Sequence, residues 1–299
     1  MKYKRQHYVP ASYLQSWCDP KCQPGQKPYV WIFSKDGFDI RRRSPQKTFF
    51  ENDLYTIHSK DSERDLTLEY NLSRIENKFS KLRREKLVKH FILTFEEHII
   101  LCMFVAAMYG RTLSFASKTS EQWNKVLNLG KKMIEWAENA SPQERERAAS
   151  MNMAPIDEEN FMTMEDVQEI IDHPLQSSLA TIVTGITPVL FRIPFVIFEI
   201  PKPITHSFIT SDAPCVWFDP AVYMQPRPRF AGGLVSPSIE ITLPISPNQL
   251  LFFSKELLVH GSYMPLADKG MIDFINKRTR LSSFKYFISN SNTVRQEWF

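Results

Sequence analysis

Four polar side chains, His7, Glu76, Arg111 and Asp212, come from distant parts of a 299-residue chain and are of types that hydrolytic chemistry uses. An imidazole titrates near neutral pH and serves as general acid or base. A guanidinium set against a reacting phosphate stabilises its charge. A carboxylate just after a strand is a common catalytic placement, and it is also a turn former that bonds its own backbone. Converging in one cleft, the four suit a nucleic-acid hydrolase. Each also has a structural reading. His7 can tie the N-terminus to a strand, and Asp212 can close the Thr210-Ser211-Asp212-Ala213-Pro214 turn. For Glu76 the expectation is an ion pair with Arg111, because a carboxylate beside an apolar stripe is costly unless paired. Convergence in one pocket favours an enzyme; separate pairing of each residue inside the core favours a binding protein.

Other residues supply affinity. Gln6 and Tyr13 flank His7 in the run Gln6-His7-Tyr8-Val9-Pro10-Ala11-Ser12-Tyr13-Leu14 and are placed to orient it. Arg41, Arg42 and Arg43, with Tyr29, Trp31 and Phe38 nearby, suit phosphate contact plus base stacking. Gln6, Tyr13, Arg41, Arg42 and Arg43 are therefore the candidate substrate-binding residues. Cys18 and Cys22 have the spacing of half a zinc site, but no second pair follows, so no zinc site is expected there; Glu69 and Glu76 on one helical face could ligate a metal or hold Arg111 in place. No cofactor motif is present: there is no phosphate-binding loop, dinucleotide fingerprint, nucleophile elbow or paired-histidine zinc helix. The basic run Lys81, Arg83, Arg84, Lys86 and Lys89 is expected to be a solvated face. His90 and His98 are expected at the surface.

Composition places the chain among soluble globular proteins, at 43% hydrophobic and 23% charged residues. Its length allows one large domain spanning 1–299, with possible subdomains 1–193 and 194–299. No window reaches the roughly 18 apolar residues of a membrane span. The basic N-terminus lacks the apolar segment of a secretory signal. Four scattered Cys fit a reducing compartment, so a cytoplasmic location with no membrane partner is expected. The net charge of +4 hides an asymmetry: residues 1–50 carry a net +7 and residues 121–173 a net −7. The plainest expectation is a solvated surface; the two regions also suit attraction to each other within one fold, or separate faces, the basic start toward nucleic acid and the acidic helical region toward a protein partner.

The elements that position these residues fall into three zones. Residues 29–34 form a β-rich run before a Lys35-Asp36-Gly37 turn, and residues 48–50 and 54–57 predict a second strand pair. Apolar steps of three and four predict an amphipathic helix over 65–89, with Glu69 and Glu76 near its stripe. Thr94 and Glu97 form a capping box. It opens an apolar core helix over 96–115, with Arg111 near its C-terminal end. Further helices are predicted at 120–139, 142–151, 164–171 and 174–191. Strands return at 195–200, 207–210, 215–218, 239–243, 250–253 and 286–288, with a Pro- and Arg-rich loop at 224–237 and a helix at 267–281. The class is α+β: a mainly antiparallel sheet from N- and C-terminal strands, with the central helical region packed on it.

Four features resemble the pattern of a family, domain of unknown function 4238. They are Gln6-His7-Tyr8-Val9-Pro10 with Tyr13-Leu14; Glu51-Asn52-Asp53-Leu54-Tyr55 with Glu69 and Ile75-Glu76; Arg111-Thr112; and Thr210-Ser211-Asp212-Ala213-Pro214 with Leu243-Pro244-Ile245-Ser246-Pro247. They span residues 6–292. Ala213 stands where the family often has Asn, and Ala11 where Gln is usual. The resemblance implies a bacterial, phage-associated protein, sometimes near defence genes, and carries over no activity. Two functions follow. One is a nucleic-acid hydrolase acting as a defence effector or toxin. The other is a non-catalytic recognition or regulatory protein that binds a phage component or a partner.

Overall fold

Strand-forming ends and a helical middle build an α+β fold, seen in a computed structural model that describes residues 4–23, 25–58, 63–151, 162–223 and 233–299. In chain order the N-terminal zone holds β1 (Arg5–His7), α1 (Ala11–Leu14), β2 (Val30–Ser34), β3 (Ile40–Arg43), β4 (Phe50–Asn52), β5 (Ile57–His58) and β6 (Arg64–Asp65). The helical zone holds α2 (Thr67–Glu85), α3 (Phe95–Gly110), α4 (Leu113–Asn139), α5 (Pro142–Ala149), α6 (Met164–Asp172) and α7 (Pro174–Arg192). The C-terminal zone holds β7 (Phe195–Glu199), β8 (Thr210–Ser211), β9 (Val216–Phe218), α8 (Pro220–Tyr223), β10 (Glu240–Pro244), β11 (Gln249–Ser254), β12 (Ser262–Pro265), α9 (Lys269–Ser282) and β13 (Tyr286–Ser289).

The strands form two larger sheets where one was expected. A four-stranded sheet, ordered β3-β2-β13-β8, joins N- and C-terminal strands in antiparallel pairs. A five-stranded sheet, ordered β12-β7-β11-β10-β9, is antiparallel except for the β12–β7 pair. The strand pair predicted over 48–57 does not form. Phe49 and Asp53 take positive φ of 56° and 53°, which turns the chain out of the extended course. β4 instead pairs with β1, and β5 with β6.

α3 is the core helix, as its composition demands. It buries His98, Leu101, Cys102, Phe104, Val105, Ala106, Ala107 and Met108, and the Thr94–Glu97 capping box starts it. His98 is thus a core residue and not a surface one: its ring packs against Phe191 and Phe195, with centroids 4.5 and 4.9 Å away. His90 is exposed, as expected. Gly110 lets α7 approach, since a Cβ there would lie 2.7 Å from Ile182 Cγ2. α7 is long and apolar enough by composition to cross a membrane, but in this fold its Leu175, Leu179, Val183, Ile186 and Leu190 are buried.

The helix predicted over 96–115 stops at Gly110. Thr112 then caps α4 by accepting the Phe115 N–H at 3.2 Å, and the axis turns by 62°. Side-chain capping outcompetes a continuous helix here. Arg111 occupies the corner. Residues 224–232 of the predicted Pro-rich loop lie outside the described residues.

Candidate functional site

His7 ends β1 opposite Phe50, and Gln6 lies opposite Glu51. Alternation along the strand sends Gln6 inward and leaves His7 half-buried. Gln6 is fully buried. Its carboxamide accepts the Tyr55 N–H at 2.5 Å and donates to Thr56 Oγ1 at 2.9 Å. Behind His7 lies the Arg111 corner. Arg111 is 1% exposed; its Nη1 donates to Glu76 Oε1 at 2.6 Å, and its Nη2 donates to the His7 carbonyl. Tyr55 Oη donates to the Arg111 carbonyl at 2.9 Å. The expected Glu76–Arg111 ion pair is present, and it is part of the frame that holds β1 against α2 and α3.

His7, Glu76 and Arg111 therefore come together. Burial lowers the His7 pKa, partly offset by a hydrogen bond to the Gln46 backbone and by Glu76. Its Nε2 is buried and has no hydrogen-bond partner among the described residues. Glu69, on the same side of α2, has a pKa raised by burial against the pull of Arg111, and its Oε2 is also unpartnered there. Arg111 is committed to fixed partners and is not free to meet a substrate phosphate.

Asp212 does not join this group. Its Oδ1 accepts the Phe284 N–H at 2.7 Å, and its Oδ2 accepts the Lys285 and Tyr286 N–H groups at 2.7 and 2.9 Å. Burial raises its pKa despite those three bonds. The carboxylate thus secures the start of β13 against β8; the expected local turn bond is made instead by Ser211, whose Oγ accepts the Ala213 N–H at 3.1 Å.

The same carboxylate lines a cavity of about 320 Å³ walled by β3, β4 and the start of β13. Arg41, Arg43, Lys47 and Lys285 face it, together with Glu51, Tyr8, Phe49, Phe50 and Tyr286. Arg41 and Arg43 reach it together because they are two apart on β3 and share a face. Among the described residues Arg43, Lys47 and Lys285 form no ion pair, and Arg41 Nε makes no hydrogen bond. Phe50 links the cavity to His7, whose ring meets it edge-on at 5.7 Å.

The remaining predicted residues serve elsewhere. Tyr13 is buried, with its hydroxyl 2.7 Å from Thr210 Oγ1 and donating to the Pro244 carbonyl at 2.5 Å. Neither Gln6 nor Tyr13 lines the cavity. Arg42 points to the other face of β3, over the Tyr29 and Trp31 rings at 5.2 and 5.5 Å. Those rings are thus occupied by a cation of the chain itself. Arg83, expected on a solvated face, instead reaches in to Ser16 and to the Ile245 carbonyl. Cys18 and Cys22 are free thiols, and no group of three or more metal-ligating side chains occurs among the described residues. Sequence reasoning missed Lys47, Lys285, Tyr8 and Glu51. The local signals were the nearness of Lys47 to the arginine run and the place of Tyr8 and Glu51 within the two N-terminal motifs; Lys285 had none.

The chain belongs to the family described as protein of unknown function (DUF4238), whose model matches residues 5–293. No curated protein and no solved structure gives a match.

Proposed function

We propose that this family member recognises nucleic acid through its phosphates, in the cavity that Arg41, Arg43, Lys47 and Lys285 share. The observation that carries the reading is four cations converging on one cavity, three of them without an ion-pair partner among the described residues. The four cations outnumber the two carboxylates of the lining, Glu51 and Asp212, and a concave wall focuses the resulting positive field on an anion. Lys and Arg neutralising phosphates release counterions, which gives salt-dependent affinity. Glu76 and Arg111 are committed to each other and Asp212 to the backbone of residues 284–286, which supports a binding role over a four-residue catalytic centre. The test is a gel-shift titration of single-stranded RNA and DNA with wild type and Arg43→Glu/Lys47→Glu. Retarded complexes with wild type alone support the reading; equal retardation by both proteins rejects it.

A second reading, a hydrolase acting as a defence effector or toxin, is favoured by His7. Its ring, whose pKa burial lowers toward the unprotonated form, has an unpartnered Nε2 among the described residues and meets Phe50 of the cavity wall edge-on. A neutral imidazole is the form a general base requires. Induced expression of wild type and His7→Ala, with total RNA and DNA examined on gels, tests it. Cleavage by wild type alone supports a hydrolase; intact nucleic acid with both leaves recognition as the function.

A further inference from the structure

Resting on the nucleic-acid reading, we infer that the cavity takes a terminal phosphate, the phosphorylated end of a strand, and not the phosphodiester of a strand passing through. Charge comes first. Four cations and the two carboxylates Glu51 and Asp212 line the cavity, a surplus of two positive charges. An internal phosphodiester carries one negative charge, whereas a phosphate monoester carries about 1.5 to 2 at pH 7 and presents three acceptor oxygens. The monoester matches the surplus, and its oxygens can be shared among guanidinium and ammonium donors.

The aromatic lining points the same way. Proteins that hold a running single strand stack its bases on open ring faces. Here several of those faces are taken by neighbouring rings and by cations of the chain. Phe49 lies between Tyr8 and Tyr286, with stacked centroids 5.6 and 6.5 Å away. The Arg41 guanidinium lies 4.5 Å from the Tyr286 ring centroid. Phe50 meets His7 edge-on and has Arg5 above it at 5.1 Å. Phe284, also in the lining, is 38% exposed and has the Lys285 ammonium 5.4 Å from its ring centroid. The rings build the wall and orient Arg41, and cations of the chain itself lie over Phe50, Tyr286 and Phe284. At about 320 Å³ the space is also at the small end of ligand cavities, roughly 300–1,000 Å³. It suits a phosphate with its attached sugar, and Glu51 on the exposed rim is placed to accept from a sugar hydroxyl.

The test is fluorescence anisotropy with one oligonucleotide sequence in three forms: 5′-phosphorylated, 3′-phosphorylated, and with hydroxyls at both ends. Arg43 and Lys47 are exposed, so Arg43→Ala/Lys47→Ala leaves the fold intact. At least one phosphorylated form should bind wild type tenfold or more tighter than the hydroxyl form, and the preference should vanish in the double variant. Equal binding of all three forms, lost in the variant, overturns the end-specific inference while the nucleic-acid reading stands. No binding of any form overturns both. Adenosine monophosphate competing as well, mole for mole, as the phosphorylated oligonucleotide identifies a free nucleotide as the ligand and also overturns the inference.

Discussion

Glu76 holds Arg111 at the corner between two helices, with Oε1 2.6 Å from Nη1, and the other arm of the guanidinium carries the backbone of His7. One ion pair thus couples α2, the α3–α4 corner and the N-terminal strand. Removing one member of a buried pair leaves the other charge uncompensated, which costs roughly 3–5 kcal/mol when burial is complete. Glu76 is about one-fifth exposed, so Glu76→Gln should cost nearer the lower figure. Arg111→Lys should also destabilise, because an ammonium cannot reach both partners with a planar fork. Urea unfolding of the two variants checks this. Midpoints unchanged from wild type would show the pair to be incidental.

Asp212→Asn should loosen the start of β13. The amide removes one acceptor oxygen, leaving at least one of the Phe284, Lys285 and Tyr286 N–H groups without its partner. An unsatisfied buried donor costs about 1–3 kcal/mol. Amide hydrogen exchange at residues 284–286 should accelerate ahead of the rest of the sheet. Wild-type exchange at those positions would place the role of Asp212 elsewhere.

His98 should set part of the acid limb of stability. Burial lowers its pKa from 6.5 to about 4, so between those values the unfolded chain binds the proton that the folded one excludes. Its contribution is complete above pH 6.5 and is lost as pH falls toward 4. A shift of this size corresponds to about 3 kcal/mol. His98→Phe, which suits the Phe191 and Phe195 surroundings, should flatten the curve over that window. An acid limb as steep as that of wild type would assign it to other groups.

Gly110→Ala should cost roughly 1–3 kcal/mol through overpacking, since the new Cβ would meet Ile182 Cγ2 at 2.7 Å. That outweighs the gain in helix propensity of about 1 kcal/mol. Ile182→Ala removes the obstructing methyl, so the double variant should be less unstable than the two single costs added together. Strict additivity would mean that α3 and α7 move apart freely.

These elements differ in how far local sequence reveals them. The capping box at Thr94, the amphipathic α2 and the Glu76–Arg111 pair were legible, because each depends on spacing along one helix or on the cost of an unpaired charge. The break after Gly110 was not, because apolar residues continue to Phe115 and only the Thr112 cap interrupts them. The β1–β4 pairing was hidden by two positive-φ residues that are not glycine, Phe49 and Asp53. The arginine run was visible, but its partition was not: Arg41 and Arg43 face the cavity, while Arg42 stacks on Trp31. Lys285 reaches the cavity only through the β2–β13 pairing, which joins opposite ends of the chain.

The most direct test of the account is the salt dependence of single-stranded oligonucleotide binding by wild type and by Arg43→Ala/Lys47→Ala. Each phosphate contact contributes about 0.7 to the slope of log affinity against log salt for single strands. The account predicts that wild type binds in a salt-sensitive way, and that the double variant, which loses two of the four cations of the cavity, binds more weakly and with a shallower slope. Binding with the same affinity and slope in both proteins, or none in wild type at low salt, would contradict it.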